Sequence, residues 1–226
     1  METVLHCYRE RPAQRWIAVE GIPFIGIGLL LTLALALFFG AAIALLGLLL
    51  TGFVVFFFRN PSRTIPTEVG VAISPADGKI VDISLCEESR YLHGKATRIG
   101  IFMSPLNCHI NRSPVAGSVV QTGYQTGQFK AAFHPKAMET NEHHALLLQD
   151  ATGGRWLVVQ IAGWLARRIV SYTRPGDALE RGERFGLIRF GSRVDLYCPT
   201  DYDMVVKLGD KVFGGETILA RKKKSL

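Results

Sequence analysis

The most constraining feature of this chain is a long uncharged segment near its amino terminus. No charged residue occurs from Gly21 to Phe58, where Leu, Ile, Ala, Val, Phe and Gly dominate. A single helix over this segment would extend roughly 57 Å at about 1.5 Å per residue, nearly twice the ~30 Å hydrocarbon core of a bilayer. The segment therefore predicts two apolar helices, Ile22–Phe38 and Ala42–Phe58, with a turn near Gly40.

Basic residues flank this segment on both sides, and they predict its orientation. Positive charge at both ends favours a membrane hairpin whose two ends are cytoplasmic, at the cell (inner) membrane. A shallow re-entrant anchor is the alternative, because each helix is at the short limit for spanning. We divide the chain into a basic segment at residues 1–20, a hydrophobic membrane hairpin at 21–58 and a further domain at 59–226. The flanking residues are Arg9, Arg11 and Arg15 before the hairpin and Arg59 and Arg63 after it.

Short β-like runs separated by Gly, Pro and Asp follow Arg59, and no long helical periodicity occurs there. The predicted fold class is mainly β (α+β), a short-strand barrel-sandwich-like soluble domain preceded by the N-terminal membrane helix hairpin. The tail from Val205 to Ala220 predicts a strand, a turn and a second strand. The other predicted strands are Lys79–Ile83, Thr97–Met103, Gly117–Thr122, His144–Gln149, Arg155–Ile161 and Asp195–Tyr197.

Cysteine spacing and net charge exclude several function classes. The 4 cysteines form no CxxC pair and no zinc-like pattern, which predicts a reducing compartment and no metal site. The formal charge of +7 accompanies an apolar anchor and no nucleic-acid-binding motif. We therefore expect the basic residues to attract the chain to anionic lipid, and we expect no nucleic-acid partner.

One serine near the carboxyl end is a candidate for self-cleavage. Ser192 follows Gly191 between two β-like runs. A glycine has no Cβ, so the hydroxyl of the next serine can turn onto the carbonyl behind it. Gly117 and Ser118 form a second such pair, so the pair alone does not identify a cleavage site.

Two polar segments carry further candidate chemistry. Asp77 lies in a Pro- and Gly-rich turn just before a predicted strand. Asn107, His109 and Asn111 are spaced at a period of two, so they share one face if that segment is extended, and Arg112 follows them.

Together these motifs resemble those of the pyruvoyl-dependent phosphatidylserine decarboxylase family, in its short membrane-associated bacterial and archaeal form. The resemblance covers about residues 57–220, and it rests on the shared order and spacing of several short motifs. They are FRNPSR at 58–63, SPADGK at 74–79, MSPLNCHINR at 103–112, NE at 141–142, QIAG at 160–163, ARRIV at 166–170 and FGS at 190–192.

The resemblance implies self-processing of a proenzyme. Ser192 Oγ would attack the Gly191 carbonyl, and the serine would become a covalent pyruvoyl cofactor. The products would be a β chain of residues 1–191 and an α chain of residues 192–226, which form a heterodimer; a higher homo-oligomer stays open. Asp77 and His109 are the implied activating pair, a base oriented by a carboxylate.

The resemblance also implies a carboxy-lyase reaction on a membrane lipid. Phosphatidylserine would be converted to phosphatidylethanolamine and CO2 through a Schiff base to the pyruvoyl group, which accepts the electrons left on Cα. Arg112, Lys79 and Asn107 are candidates for binding the substrate carboxylate or phosphate. The alternative substrate is the ether lipid archaetidylserine, and a more distant alternative is a non-enzymatic membrane-anchored barrel-sandwich adaptor.

One position departs from the pattern of the longer family members. Those members carry a second histidine three residues after the first, and here that position is Arg112, which cannot serve as a base at ordinary pH. Either His109 serves both roles, or His134, His143 or His144 supplies the second base.

Overall fold

The computed structural model of the chain describes residues 8–10, 15–127, 141–163, 168–189 and 192–223. The chain divides into two compact units. One unit comprises Pro12–Ser62, and the other comprises Met1–Arg11 together with Arg63–Leu226.

The smaller unit is a helical hairpin. Helix α1 covers Ile22–Phe39 and helix α2 covers Ala41–Phe57. Pro23 lies in the first turn of α1, where its missing N–H costs no helical hydrogen bond. Gly40 joins the helices with a φ of 82°, a conformation that glycine adopts readily. The helices agree with the sequence prediction to within one residue at each end.

The hairpin surface is apolar along its length. The stretch Val19–Phe39 is long and apolar enough to cross a membrane, with a mean hydropathy of 2.5, and its most apolar window is 0% buried; Ala41–Phe57 is shorter. At about 1.5 Å per residue α1 rises about 27 Å, close to the ~30 Å hydrocarbon thickness of a bilayer. Length and composition are therefore compatible with membrane insertion.

A repeated pentapeptide, Gly-Leu-Leu-Leu-Thr, holds the two helices together. It occupies residues 28–32 in α1 and 47–51 in α2. Thr32 Oγ1 donates to the Gly28 carbonyl at 2.7 Å, and Thr51 Oγ1 donates to the Gly47 carbonyl at 2.9 Å. The two hydroxyl oxygens are 3.4 Å apart. The helices thus approach each other through matching small residues, as membrane helices commonly do.

The larger unit is built from strands. Among the described residues they form three antiparallel sheets, with the orders β13-β2-β3-β11-β7-β6-β5-β9, β1-β14-β12 and β4-β10-β8. The strands are β1 Val71–Ile73, β2 Gly78–Glu88, β3 Gly94–Met103, β4 Ile110–Arg112, β5 Gly117–Gln125, β6 His143–Gln149, β7 Arg155–Ala162, β8 Ile169–Ser171, β9 Ala178–Leu179, β10 Arg184–Ile188, β11 Ser192–Cys198, β12 Tyr202–Met204, β13 Lys211–Val212 and β14 Ile218–Lys222.

The two faces of the large sheet have different surroundings. Its inner face packs against both small sheets in one apolar cluster, which includes Met103 of β3, Ala162 of β7, Ile188 of β10 and Leu219 of β14. Its outer face carries a smaller cluster that includes Tyr197. Because side chains alternate along a strand, neighbours in sequence lie on opposite faces.

The mainly β fold predicted from the sequence is confirmed. The predicted strands up to residue 197 lie within β2, β3, β5, β6, β7 and β11. The predicted first strand of the tail is displaced, because β12 ends at Met204, before Val205. The Val205 N–H still donates to the Leu219 carbonyl at 2.9 Å, so the tail keeps its pairing with β14 beyond the regular strand.

Substitutions of the hairpin glycines test this packing. A Cβ at Gly28 would lie 2.7 Å from Thr51 Oγ1, and a Cβ at Gly47 would lie 2.8 Å from Thr32 Oγ1. We expect Gly28→Leu and Gly47→Leu to push the helices apart. The measurement is the rate of disulfide formation, in membranes, between cysteines introduced as Thr32→Cys and Thr51→Cys, and this rate should fall several-fold.

The matched controls are Gly26→Leu in α1 and Gly52→Leu in α2. An added Cβ at either position meets no atom within 4 Å, so the cross-linking rate should stay unchanged. Equal rates in all four glycine variants would contradict the proposed packing.

Candidate active site

Ser192 is the first residue of the central strand of the large sheet. It pairs with Met103 of β3 on one side and with Ala162 of β7 on the other. Its side chain is fully buried on the inner face, where Ser192 Oγ donates to Met103 Sδ at 3.4 Å. Gly191, the other member of the predicted cleavage pair, lies outside the described residues.

His109 lies beside the strand that leads toward Ser192. It immediately precedes β4, which pairs with β10, and the Ile188 N–H at the end of β10 donates to the His109 carbonyl at 3.2 Å. His109 Nδ1 is 3.0 Å from the Asn107 carbonyl. A carbonyl oxygen only accepts, so Nδ1 carries the proton and Nε2 is the basic nitrogen of the neutral ring.

Asn107 shapes the turn that holds His109. Its Oδ1 accepts hydrogen bonds from both the backbone N–H and the hydroxyl of Ser104, each at 2.8 Å. The side-chain oxygen is therefore engaged within the turn, and the Asn107 carbonyl fixes the tautomer of His109. Its predicted role in binding substrate stays a prediction.

Asp77 is held in a buried ion pair. Both of its carboxylate oxygens accept from Arg63 Nη2, at 2.9 and 2.8 Å, and the Gly214 N–H donates to Oδ1 at 2.7 Å. Arg63 Nη1 also reaches Glu216 at 3.2 Å. The sequence motif contained Arg63, but its pairing with Asp77 was not recognised because 14 residues separate them.

The turn that carries Asp77 packs against β4. The Pro75 carbonyl accepts from the Arg112 N–H at 2.9 Å and lies 3.5 Å from Asn111 Nδ2. Arg112 itself is buried, and its Nη1 donates to the Gly182 carbonyl at 3.0 Å. Burial lowers the pKa of the Arg112 guanidinium from its ordinary value.

Lys79 lies away from Ser192. It is exposed, and it alternates along β2 with Ile80, which belongs to the inner cluster. Lys79 therefore points to the outer face, whereas Ser192 points to the inner one. The structure brings Asn111 to the sulfur atom that Ser192 contacts, with His109 two residues before it and the Asp77 turn packed against it, whereas Lys79 lies on the other face.

A chain of buried polar side chains runs toward Ser192 from β6. His144 Nδ1 lies 3.1 Å from Gln160 Oε1, and Gln160 Nε2 donates to Asn111 Oδ1 at 2.8 Å. Asn111 Nδ2 in turn donates to Met103 Sδ at 3.8 Å, the sulfur that Ser192 also contacts. The motif QIAG contained Gln160, but sequence reasoning gave this residue no role, although a polar residue within the apolar run of β7 was a signal for one.

The two described histidines of β6 point in opposite directions. His143 faces outward and lines a cavity of about 320 Å³ with residues that include Tyr91 and Tyr197. His144 faces inward, and burial lowers its pKa to about 4, so it is neutral at ordinary pH. His134, the other candidate for a second base, lies outside the described residues.

Asn141 and Glu142 form hydrogen bonds with the end of β7, next to Ser192. Asn141 Nδ2 donates to the Ala162 carbonyl at 2.8 Å, and the Ala162 N–H donates to the Glu142 carbonyl at 2.9 Å. Burial raises the pKa of the Glu142 carboxyl. These contacts fix the end of β7 that pairs with Ser192.

The outer face behind Ser192 carries an ion-pair cluster in which Arg193 and Asp195 are buried and Asp82 and Arg98 are half-buried. Arg193 Nε binds Asp195 Oδ1 at 2.5 Å, and Arg193 Nη2 lies 3.7 Å from Asp82. Arg98 Nε binds the same Asp82 carboxylate at 2.7 Å. The two arginines and two aspartates neutralise one another, so β11 is held by charge pairing on one face and by apolar packing on the other.

Among the described residues, no group of three or more His, Cys, Asp or Glu side chains is placed to hold a metal ion. Ser192, His109, Asn111 and Gln160 offer a hydroxyl, an imidazole and two side-chain amides. Such groups serve nucleophilic attack with general acid–base assistance.

The buried His144 predicts a pH-dependent stability. Its folded pKa of about 4 lies below the ordinary value of 6.5, so the unfolded chain binds more protons between these values, and stability falls as the pH falls. We expect the wild-type chain to lose about 3 kcal/mol more free energy of unfolding than His144→Asn between pH 7 and pH 4. Thermal or denaturant unfolding at several pH values measures this difference.

The matched control is His93→Asn. His93 is exposed and has a φ of 53°, a conformation that asparagine tolerates. This variant should keep the wild-type pH dependence. A His144→Asn chain with the same acid sensitivity as wild type would contradict the assignment of His144 as the buried titrating group.

Comparison with known proteins places the chain in a family. The family model described as phosphatidylserine decarboxylase matches residues 50–220. A relative from Syntrophotalea carbinolica named phosphatidylserine decarboxylase proenzyme is 49% identical over 203 residues, which cover 90% of this chain and 95% of the relative. Relatives of the same name are 48% identical over 206 residues in Nitratidesulfovibrio vulgaris (91% and 94% covered) and 47% identical over 208 residues in Geobacter sulfurreducens (90% and 95% covered). The chain belongs to the phosphatidylserine decarboxylase family.

Proposed function

We propose that this chain is the proenzyme of a phosphatidylserine decarboxylase, and that Ser192 cuts it and becomes the pyruvoyl cofactor. The activity follows from membership of the family and from relatives that match over nearly their whole length. The observation that carries the assignment of Ser192 is its position as a buried residue at the start of a central strand, where its hydroxyl contacts the same Met103 sulfur as Asn111.

Self-cleavage begins with the Ser192 hydroxyl. Its Oγ attacks the Gly191 carbonyl carbon while His109 Nε2 takes the hydroxyl proton, and the carbonyl π pair moves onto oxygen. The intermediate collapses by breaking the C–N bond; the electron pair stays on the Ser192 nitrogen, which receives the proton back from His109. The result is an ester between Gly191 and Ser192 Oγ.

Elimination then breaks the chain. Loss of the Ser192 α-proton and of the Gly191 carboxylate leaves dehydroalanine at position 192. Water adds to this residue and ammonia leaves, so the new α chain begins with a pyruvoyl group and the β chain ends at Gly191. The electron and atom balance needs no reagent other than water.

The position of Ser192 fits this cofactor. Both flanking strands pair with β11, so the first residue of the α chain stays buried after the chain is cut. The pyruvoyl carbonyl supplies an electron sink for the electrons that decarboxylation leaves on the substrate Cα. His109 is the proposed proton carrier for both cleavage and turnover.

Asp77 is the proposed carboxylate partner of this machinery. The carboxylate accepts three hydrogen bonds from Arg63 and Gly214, which fix its position. Its turn is hydrogen-bonded to β4, the strand that follows His109. We propose that Asp77 acts on His109 by holding this turn in place against β4, through its ion pair with Arg63.

Substrate binding is proposed for Arg112 and Asn107. Arg112 offers a guanidinium that suits a carboxylate or phosphate, although its described contact is with the Gly182 carbonyl. Lys79 was predicted for the same role, but its exposed position on the outer face favours Arg112 and Asn107 over it.

The cut chains are proposed to form a stable heterodimer. Residues 192–226 contribute β11 and β13 to the large sheet, and β12 and β14 to a sheet with β1. In the α chain, β11 therefore lies between β3 and β7 of the β chain, β13 pairs with β2 and β14 pairs with β1, and the two chains share one core.

The hairpin is proposed to anchor the enzyme in the cell membrane with its catalytic domain on the cytoplasmic face. The apolar helix and the basic residues on both flanks support this orientation. An anchored enzyme meets its lipid substrate at the headgroup layer, so the lipid need not leave the bilayer.

Ser192→Ala should remain one uncut chain without decarboxylase activity, because no hydroxyl is present to attack Gly191. The control is Ser118→Ala, which alters the other Gly-Ser pair at an exposed position of β5. That control should cleave and turn over like wild type. Intact-mass measurement and denaturing gels detect the two chains, and the α chain should resist amino-terminal sequencing.

The same assays separate the competing functions. A wild-type chain that stays uncut and inactive on phosphatidylserine would favour the adaptor hypothesis, and normal cleavage of Ser192→Ala would end the proposed mechanism. His109→Ala should slow cleavage, turnover or both; wild-type behaviour would assign the base elsewhere.

Removal of residues 1–58 should release the enzyme from membranes, because the described apolar helices lie within this segment. Fractionation into membrane and soluble pools measures the change. A truncated protein that sediments with membranes as fully as wild type would show that the domain at 59–226 carries its own lipid-binding surface.

A further inference from the structure

A buried amide chain ends at the sulfur atom that holds the Ser192 hydroxyl. Asn111 Nδ2 and Ser192 Oγ contact Met103 Sδ at 3.8 and 3.4 Å. Asn111, Ser192 and Met103 are each 0% exposed. The Asn111 amide and the Ser192 hydroxyl are therefore separated by one shared acceptor, in a space from which water is excluded.

The orientation of the Asn111 amide is fixed by its neighbours. Gln160 Nε2 donates to Asn111 Oδ1 at 2.8 Å, which leaves Nδ2 as the group directed at Met103. Gln160 Oε1 lies 3.1 Å from His144 Nδ1 and accepts its proton, so the Gln160 amide is fixed as well. The chain of donors runs in one direction, from His144 toward Ser192.

The acceptors that Asn111 Nδ2 contacts are weak or distant. A thioether sulfur is a weak acceptor, and the Pro75 carbonyl lies at 3.5 Å, the long limit for a hydrogen bond. When a strong acceptor forms beside a buried amide donor with such partners, the new hydrogen bond is more favourable than it would be for an exposed donor.

Self-cleavage creates such an acceptor. When Ser192 attacks the carbonyl behind it, the carbonyl oxygen becomes an oxyanion. That carbonyl carbon is bonded to the Ser192 nitrogen at about 1.33 Å, so the negatively charged oxygen forms two bonds away from the Ser192 nitrogen. An oriented donor in a dry site stabilises developing charge effectively, because it needs no reorganisation.

We propose that Asn111 Nδ2 donates to the oxyanion formed at the Gly191 carbonyl during self-cleavage, and that Gln160 and His144 are positioning residues that hold the Asn111 amide in its donating orientation. This inference rests on the proposed function. It assigns a task to Asn111 that is separate from the proton transfer assigned to His109.

The backbone makes room for this arrangement at one glycine. A Cβ at Gly186 of β10 would lie 3.1 Å from Gln160 Nε2 and 2.4 Å from the Val170 carbonyl. A side chain at this position would displace the Gln160 amide or separate β10 from β8. The close approach of β10 is therefore needed for the Gln160 contact.

Asn111→Leu tests the donor directly. Leucine has a similar shape and no donor, so the first-order rate of cleavage of newly synthesised full-length chain should fall by about 10²- to 10³-fold. Denaturing gels follow the two chains over time. Cleavage of a folded Asn111→Leu chain at the wild-type rate would overturn the inference.

Variants of the positioning residues test the inference independently of whether Asn111→Leu folds. Gln160→Glu replaces the donor to Asn111 by an oxygen and should slow cleavage, whereas Gln149→Glu, at an exposed position of β6, should not. His144→Asn keeps an N–H near the Nδ1 position and should cleave faster than His144→Leu. If Asn111→Leu does not fold, these comparisons decide the question.

A purely structural role predicts a different result. Cleavage rates would then follow the thermal unfolding midpoints of the variants, and His144→Asn would give no recovery over His144→Leu at matched stability. Failure of the proposed function is distinguishable, because wild type itself would then stay uncut. Normal wild-type cleavage with unchanged rates in the Asn111, Gln160 and His144 variants would overturn only the present inference.

Discussion

The pairing of β11 on both of its sides is the constraint on which the rest of the structure depends. Ser192 begins this strand, and all seven residues of β11 are buried between β3 and β7. A break just before Ser192 leaves the backbone groups from Arg193 onward in their ladders. An edge strand would expose its new end and lose half of that support. A reactive residue made by cutting the chain therefore suits a central strand.

In this central position the charged and polar side chains near Ser192 are buried and need partners. The partners differ between the two faces of the sheet. On the outer face Arg193 is buried, and Asp195 with Asp82 neutralises its charge. On the inner face the polar groups are neutral amides and a neutral imidazole, which form a chain of hydrogen bonds. Buried polar groups are tolerated when they are paired. The charge cluster thus holds the strand, while the neutral face is available for chemistry.

Local patterns in the sequence were sufficient for the hairpin and for most strands of the large sheet. The uncharged run to Phe58 predicted both helices, and short runs between turn residues predicted β2, β3, β5, β6, β7 and β11. The contact between Gln160 and Asn111 was not predictable in this way, because it joins residues 49 positions apart in different sheets. The threonine contact in the hairpin was not recognised either, although an exact pentapeptide repeat encodes it.

The weakness of the Ser192 contact has a chemical consequence. A carboxylate or carbonyl in place of Met103 Sδ would bind the hydroxyl strongly and stabilise the uncut state, whereas a thioether gains little. The Ser192 hydroxyl is thus buried and oriented, but no strong hydrogen bond stabilises it in the uncut state. Because sulfur takes no proton at ordinary pH, the base must come from another group, and His109 has its basic nitrogen defined by the Asn107 carbonyl. In the proposed mechanism, holding the nucleophile and removing its proton are therefore tasks of different residues.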